Sequence, residues 1–268
     1  MAWGRAALHP RFRHGAATRH VAIAWALMAN ASASDLEILR KYDTPTVCNV
    51  IELFGVRSQT AGYMDKRIQA CYKDLPPTVG YAATATFRSS APPQKGGDYG
   101  SLDEQVARFS ELPGPPIVVF QDLDDPPVAA TFGEVMCTTY KTFGAQGLIT
   151  SGAGRDYEQL KDVGFPCFCD GYIASHGYPH FLDIHVPVHV GGLVVNAGDL
   201  IHADANGVTN IPLEIGAEVA QACEELVAAE DIVLDYLKAG DVSVEGFAAA
   251  RKKLGARIGE LKQKYGRS

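Results

Sequence analysis

The spacing of apolar residues predicts that helices and strands alternate along the chain. Apolar residues recur at helical spacing in 44–54, where Thr44 is expected to cap the helix and Gly55 to end it. Alternating small and β-prone residues in 79–87 and a short apolar run in 115–120 predict strands. Further helices are expected over 36–42, 102–109, 134–143 and 157–163, and further strands over 147–150, 166–169, 200–203 and 208–211. The segments 185–190 and 193–195 form a predicted hairpin, and the chain is helical from 214 onward with a break at Gly240. The pattern indicates an α/β fold with a helical C-terminal tail.

Residues 1–34 differ in composition from the rest of the chain. They contain no Asp or Glu, but they hold four Arg residues and both Trp residues. Three interpretations stay open: a signal peptide with a small-residue cleavage site at 31–33, an organelle transit segment, or upstream sequence translated before a natural start at Met28. We expect residues 1–30 to be poorly ordered and to carry no chemistry. The chain is accordingly divided into a leader (1–34), a central domain (35–240) and a helical tail (241–268).

Composition excludes several classes of protein. The 24 basic residues are outnumbered by 31 acidic ones, and without a basic block this argues against a nucleic-acid partner. No apolar run reaches the roughly 20 residues that span a bilayer, so no membrane association is expected. The six Cys residues lack C-x-x-C spacing and predict reduced thiols in a cytoplasmic protein.

Two segments have the pattern of a binding site. Gly133 and Glu134 stand at a predicted helix start, whose free backbone N–H groups can hold an anion, although an ordinary helix start has the same pattern. A glycine turn at 151–154 then leads from a strand to Arg155 and Asp156 at the next helix start. Arg155 is suited to a carboxylate or an enolate, and Asp156 to a hard divalent cation, while a surface ion pair is the alternative.

A group of histidines gives a weaker signal. His185 and His189 are an even number of residues apart and are expected to share a strand face. A metal site is conceivable there, but partly exposed strand histidines are the simpler interpretation. Cys167 and Cys169 are interpreted as packed thiols. The whole group is His176, His180, His185 and His189.

Several segments together resemble one known family. Residues 186–199 read VPVHVGGLVVNAGD, residues 203–212 read ADANGVTNIP, and twenty residues separate Glu134 from Arg155-Asp156. This combination resembles the 4-hydroxy-4-methyl-2-oxoglutarate/4-carboxy-4-hydroxy-2-oxoadipate aldolases. They belong to the RraA-like family, which also contains the regulator of RNase E activity. The resemblance covers about 36–236.

The resemblance implies a fold and a reaction. The fold would be the RraA-like swivelling β/β/α domain, assembled as a homotrimer or a hexamer, and the 35–240 domain would be catalytic. The reaction would be a divalent-metal-dependent cleavage of a 4-hydroxy-2-oxo acid that releases pyruvate. Oxaloacetate decarboxylation would be a side activity, because both reactions pass through the pyruvate enolate.

The resemblance also implies roles for particular residues. Asp156 would anchor Mg²⁺ or Mn²⁺ largely through water, and Arg155 would bind the pyruvyl group and stabilise the enolate oxygen. The backbone N–H groups of Gly133, Glu134, Val135 and Met136 would hold the substrate carboxylate. The Glu134 side chain would orient a metal-bound water for proton transfer. Glu230 of a neighbouring subunit would complete the site, an assignment made from its sequence offset alone.

Two departures from the family pattern keep alternatives open. Ser151 occupies a position where the family usually has Asp, and Glu134 stands where characterised aldolases have Asp. The longer Glu134 side chain can shift a bound water by around an ångström, a displacement that affects rates. The RNase-regulating members typically carry glycine at this position. The alternatives are therefore a protein-interaction regulator of RNase activity, or a metal-dependent lyase or decarboxylase acting on another 2-oxo acid.

Overall fold

The computed structural model describes residues 31–97 and 99–267, so the part of the predicted leader before residue 31 lies outside the described residues. The α-helices are α1 (Ala33–Leu39), α2 (Thr44–Phe54), α3 (Leu102–Ala107), α4 (Glu134–Thr142), α5 (Tyr157–Val163), α6 (Gly216–Lys238) and α7 (Val244–Tyr265). Short 3₁₀ helices span Arg108–Glu111 and Leu213–Ile215. None of the described helices is long and apolar enough to cross a membrane.

Most strands belong to one mixed sheet. The strands are β1 (Gln69–Ala70), β2 (Thr78–Arg88), β3 (Pro116–Asp122), β4 (Ala130–Phe132), β5 (Gly147–Thr150), β6 (Ala153–Gly154), β7 (Cys167–Cys169), β8 (His180–Ile184), β9 (Val188–Val190), β10 (Leu193–Val195), β11 (Leu200–Asp204) and β12 (Gly207–Ile211). The main sheet has the order β1-β7-β5-β3-β2-β11-β12, and β8 also pairs with β2. Strands β2, β3, β5 and β7 run parallel to one another. Two small sheets, β9–β10 and β4–β6, stand beside it.

The main sheet is covered on both faces. Val118 and Phe120 of β3 pack in the cluster that includes residues of α4 and α5, whereas Ile117 and Val119 pack in the cluster that includes β9 and β10. Side chains alternate between the two faces of a strand, so both faces of β3 are buried. The result is three layers: helices, the main sheet and the β9–β10 hairpin. This arrangement confirms the predicted α/β class and its β/β/α layering.

The helical tail packs against the central domain. Leu261 of α7 is buried in the same cluster as Val50 and Phe54 of α2 and Leu226 of α6. Helix α7 therefore contributes to the core that covers one end of the sheet.

Two details at the start of the fold differ from the sequence predictions. Helix α1 begins at Ala33 with Ser32 as its cap, so ordered structure starts before the predicted leader boundary at 34. The cap of α2 is Asp43, whose carboxylate accepts a hydrogen bond from the Thr46 N–H at 2.8 Å. Thr44 is instead the first helical residue, and its hydroxyl lies 3.0 Å from Nδ1 of the buried His202. The backbone at Asp43 is extended, as a cap position requires.

Candidate functional site

Two short parallel strands bring the predicted site residues together. Strands β4 and β6 pair with Ala130 opposite Ala153 and Phe132 opposite Gly154. Each strand leads directly toward a helix start, α4 after β4 and α5 after β6. The strands are parallel with an irregularity between Ala130 and Phe132, and their ends bring Gly133 and Arg155 next to each other. The Arg155 N–H donates to the Phe132 carbonyl at 3.1 Å.

Asp156 connects the two helix starts. Its backbone adopts the left-handed conformation, with φ at 59°. Its Oδ2 accepts a hydrogen bond from the Glu134 N–H at 3.0 Å and lies 3.6 Å from Arg155 Nε. Both the Arg155 and Asp156 side chains are about one-third exposed, so they are accessible at the surface of the site. The structure thus places Glu134, Arg155 and Asp156 in one group, as the resemblance to the RraA-like aldolases implied.

Gly133 makes this close approach possible. A Cβ atom at this position would lie 2.5 Å from Asp156 Oδ2 and 3.0 Å from Arg155 Nε. These distances are shorter than ordinary contacts, so a larger residue would displace the two functional side chains. The need for glycine comes from this proximity, since the backbone of Gly133 is extended.

The start of α4 can receive an anion. Gly133 caps this helix without a side-chain hydrogen bond, and the first N–H groups of a helix have no acceptor within the helix. The Glu134 N–H already donates to Asp156, and Val135 and Met136 supply the next N–H groups of the first turn. The positive end of the helix dipole and the adjacent Arg155 guanidinium both favour a bound carboxylate.

The donor set around Asp156 fits a cation that retains much of its water. Both hydrogen-bond and ion-pair contacts of the Asp156 carboxylate use Oδ2. Among the described residues, no group of three or more His, Cys, Asp or Glu is placed to hold a metal ion. Zinc-type sites need three or four protein ligands, whereas Mg²⁺ is commonly held by one or two carboxylates with water and substrate. A single carboxylate such as that of Asp156 is compatible with Mg²⁺ or Mn²⁺ held mainly by water and substrate.

Glu230 lies elsewhere in the chain. It is half-buried in α6, where its Oε1 lies 3.4 Å from the Asn49 amide nitrogen of α2. In the described part of the chain, no hydrogen bond or ion pair joins it to Arg155 or Asp156. Its predicted role concerned a neighbouring subunit and stays a prediction.

The predicted histidine face is wrong. His185 follows the unpredicted strand β8 with a left-handed backbone, φ 59°, and precedes the strand that contains His189. Its side chain is 1% exposed and its Nδ1 lies 3.1 Å from Glu111 Oε2, whereas His189 is exposed on β9. The even spacing does not give a shared face, because the chain leaves one strand and enters another between the two residues. His176 and His180 lie at the surface or partly exposed, each with Nδ1 near a backbone carbonyl.

A buried carboxyl behind the site was not singled out from the sequence. Asp122 ends β3, is 7% exposed, and its Oδ2 lies 3.4 Å from the Thr131 hydroxyl of β4. Burial raises the pKa of this carboxyl to about 6. A Cβ at Gly152 would lie 2.7 Å from Asp122 Oδ2, so this glycine turn also depends on a close approach. The sequence feature that could have pointed to Asp122 is its place at the carboxyl end of a buried parallel strand, where ligands often bind in α/β proteins.

Comparison with known proteins identifies the family. The sequence profile of the RraA-like family, described as Aldolase/RraA, matches residues 44–209. The chain belongs to the RraA-like family. A protein of Halalkalibacterium halodurans named "Putative 4-hydroxy-4-methyl-2-oxoglutarate aldolase" is 37% identical over 107 residues, which are 40% of this chain and 50% of that protein. The chain thus matches about half the length of this curated relative.

Solved structures show the same RraA-like fold. An uncharacterized protein from Pseudomonas syringae pv. tomato superposes with a TM-score of 0.66 at 18% identity, over 83% of this chain and 94% of its own. Streptomyces coelicolor RraAS2, described as an unusual member of the RNase ES inhibitor RraA protein family, superposes with a TM-score of 0.59 at 21% identity. That match covers 75% of this chain and 96% of RraAS2.

Proposed function

We propose that this RraA-like protein is a divalent-metal-dependent lyase that cleaves a 4-hydroxy-2-oxo acid to pyruvate, with oxaloacetate decarboxylation as a side activity. The observation that carries the proposal is the convergence of Arg155, Asp156 and the α4 helix start through the β4–β6 pair. The matching relative that is named as an aldolase supports the same class of reaction.

The substrate carboxylate binds at the start of α4. The N–H groups of Val135 and Met136 donate to it, because the Glu134 N–H is held by Asp156. This position brings the neighbouring 2-oxo group toward Arg155, whose planar guanidinium can contact two oxygens at once.

Arg155 stabilises the charge that develops during cleavage. The 4-hydroxyl loses its proton, the C3–C4 bond breaks, and its electron pair becomes the enolate of pyruvate while C4 becomes a carbonyl carbon. The enolate then takes a proton at C3 to give pyruvate. A fixed guanidinium beside the enolate oxygen stabilises the enolate and the transition state that leads to it more than it stabilises the neutral ketone.

Asp156 and Glu134 have the remaining roles. Asp156 would hold Mg²⁺ or Mn²⁺, which supplies Lewis-acid polarisation of the 2-oxo group. The exposed Glu134 carboxylate lies at the same helix start and orients a water for the proton transfers. We further propose that a homotrimer or hexamer brings Glu230 of a neighbouring copy to this site.

An Asp156→Asn variant tests the proposal. Asn tolerates the left-handed backbone, and its amide oxygen can still accept the Glu134 N–H, so the local fold is kept while the charge is lost. We expect pyruvate release to fall by about 100-fold or more, with loss of the Mg²⁺ or Mn²⁺ dependence. The measurement is a coupled pyruvate assay at several metal concentrations.

Glu158→Gln is the matched control for this test. Glu158 is exposed two residues further along α5, and its substitution removes the same charge without touching the site. It should leave turnover unchanged. Equal turnover in Asp156→Asn and Glu158→Gln would contradict the proposal. A complete lack of turnover in the unmodified protein, with recovery of an RNase in a pull-down, would favour the regulator alternative instead.

A further inference from the structure

Two thiols meet at the edge of the main sheet. Strand β1 is the edge strand and pairs antiparallel with β7. Cys71 follows β1, and its N–H donates to the Cys167 carbonyl at 2.8 Å. The sulfur atoms of Cys71 and Cys169 lie 3.5 Å apart. A disulfide has an S–S distance of about 2.05 Å, so the two sulfurs need to approach by only about 1.5 Å.

This thiol pair borders a surface pocket. Cys71 and Cys169 both line a surface pocket of about 320 Å³, together with Arg67, Tyr157 and Tyr172. Cys71 is partly exposed and Cys169 is 3% exposed. A small oxidant that enters the pocket therefore comes next to the pair, and Cys71 is the more exposed of the two thiols.

The other cysteines lack this combination of proximity and access. Cys137 and Cys167 lie 3.7 Å apart, but both are buried in the core and no more than 1% exposed. Cys223 is fully buried in a different cluster, with its thiol 3.2 Å from the Val219 carbonyl. Cys48 is partly exposed, but it lies beside Thr209 and Arg57, away from the other thiols.

The environment of the pair favours one thiolate over the other. A hydrogen bond from the Cys71 thiol to the Cys169 sulfur lowers the pKa of Cys169 and raises the pKa of Cys71. The thiolate is the reactive form of cysteine, so Cys169 is the first nucleophile of the pair.

We propose that Cys71 and Cys169 are an oxidation site at which a peroxide forms an intramolecular disulfide. The Cys169 thiolate attacks one oxygen of hydrogen peroxide, the O–O bond breaks, and sulfenic acid and hydroxide form, the latter taking a proton to become water. Cys71 then attacks the Cys169 sulfur, the S–O bond breaks, and the hydroxyl leaves as a second water with the Cys71 proton. Two thiols are oxidised and one peroxide is reduced to two waters.

The site of oxidation is connected to the candidate functional site by backbone contacts. The Cys169 sulfur lies 3.1 Å from the Gly171 carbonyl, which also accepts the Gly154 N–H at 2.9 Å. Gly154 immediately precedes Arg155. A new bond at Cys169 therefore forms next to the segment that positions Arg155.

Peptide mapping of the folded, full-length protein tests this proposal without relying on enzymatic activity. The protein is treated with hydrogen peroxide, its remaining thiols are alkylated in denaturant, and it is digested without reduction. Trypsin is combined with chymotrypsin, because cleavage after Phe168 separates Cys167 from Cys169. We expect a Cys71–Cys169 linked peptide that disappears after dithiothreitol treatment.

Variants give the matched comparison. Cys71→Ser should abolish the linked peptide and leave a sulfenic acid on Cys169 that dimedone traps. Cys48→Ser should leave the linked peptide unchanged. The proposal is overturned if the oxidised wild-type protein contains no Cys71–Cys169 bond, or if the main disulfide joins Cys137 to Cys167 or Cys71 to Cys167.

Discussion

At the scale of single residues, the geometry of the site depends on the missing side chain of Gly133. A Cβ there would lie 2.5 Å from Asp156 Oδ2, and the carboxylate would have to move away from the Glu134 N–H. Misplacing a catalytic group by about 1 Å can cost about 100-fold in rate. We expect Gly133→Ala to lower pyruvate release by about that factor, as measured by steady-state kinetics.

Gly255→Ala is the control for this substitution. Gly255 lies in α7, and a Cβ at that position would meet no atom within 4 Å. Alanine is favoured over glycine within a helix by about 1 kcal/mol, so this variant should be slightly more stable and equally active. If Gly133→Ala also kept full activity, the close approach of Asp156 to α4 would not matter for function.

Asp122 gives a prediction on pH dependence. Burial raises the pKa of the folded carboxyl to about 6, above its ordinary value of 3.8. Between these values the unfolded chain ionises first, so raising the pH destabilises the folded protein. Asp122→Asn has a similar shape and cannot ionise. We therefore expect the Tm of Asp122→Asn minus the Tm of the wild type to become more positive as the pH is raised from 4 to 7.

Thermal unfolding at a series of pH values measures this difference. The Asn variant can keep the hydrogen bond from the Asp124 N–H, which the carboxyl accepts at 2.9 Å. A Tm difference between the two proteins that stays constant from pH 4 to pH 7 would show that burial does not hold this carboxyl in its protonated form.

The site residues differ in how far the sequence could predict them. Glu134, Arg155 and Asp156 follow glycines at predicted helix starts, and the resemblance to a family signature with the same twenty-residue interval implied that they act as a group. Asp122 is the first of three acids at a strand end, and the residues that approach its carboxyl, Thr131 and Gly152, come from other parts of the chain. The residues that neighbour Asp122 in the sequence do not show which distant segments will cover its carboxyl.

At the scale of elements, the two helix starts at the candidate site were predicted well and the short strands poorly. Helices α4 and α5 begin where glycine and the apolar pattern indicated. Strands β4 and β6 have three and two residues, too few to show an alternation, although their pairing is what joins the two helix starts. Strand β8 was also missed, and the predicted histidine face failed for that reason.

Helix α7 belongs to the folded core by its packing, and its contribution can be measured. Leu261 is 1% exposed in the cluster formed with α2 and α6. Truncation of a buried Leu typically costs 2–5 kcal/mol, so we expect Leu261→Ala to lower the free energy of unfolding by about that amount. Urea denaturation measures the change.

Val244→Ala is the matched control in the same helix. Val244 is 79% exposed, so its truncation should change the free energy of unfolding by about 0.5 kcal/mol or less. Equal midpoints for Leu261→Ala and Val244→Ala would mean that α7 does not stabilise the fold.

At the scale of the whole molecule, the sequence predicted the class of the fold but not all of its packing. The alternation of helices and strands indicated an α/β class, the resemblance carried by the VPVHVGG and ADANGV segments implied the RraA-like β/β/α domain, and the family match over 44–209 agrees. The antiparallel position of β11 beside β2 and the burial of α7 arise from contacts between distant segments. Local periodicity does not specify such contacts.

The assignment as a metal-dependent lyase is tested most directly by pyruvate release from the unmodified protein. Oxaloacetate and 4-carboxy-4-hydroxy-2-oxoadipate are compared side by side with Mg²⁺, with Mn²⁺ and with a chelator. We predict that the aldol substrate releases pyruvate with either metal and that the chelator stops the reaction. Pyruvate release that continues unchanged with the chelator, or no release from either substrate under any condition, would contradict the assignment.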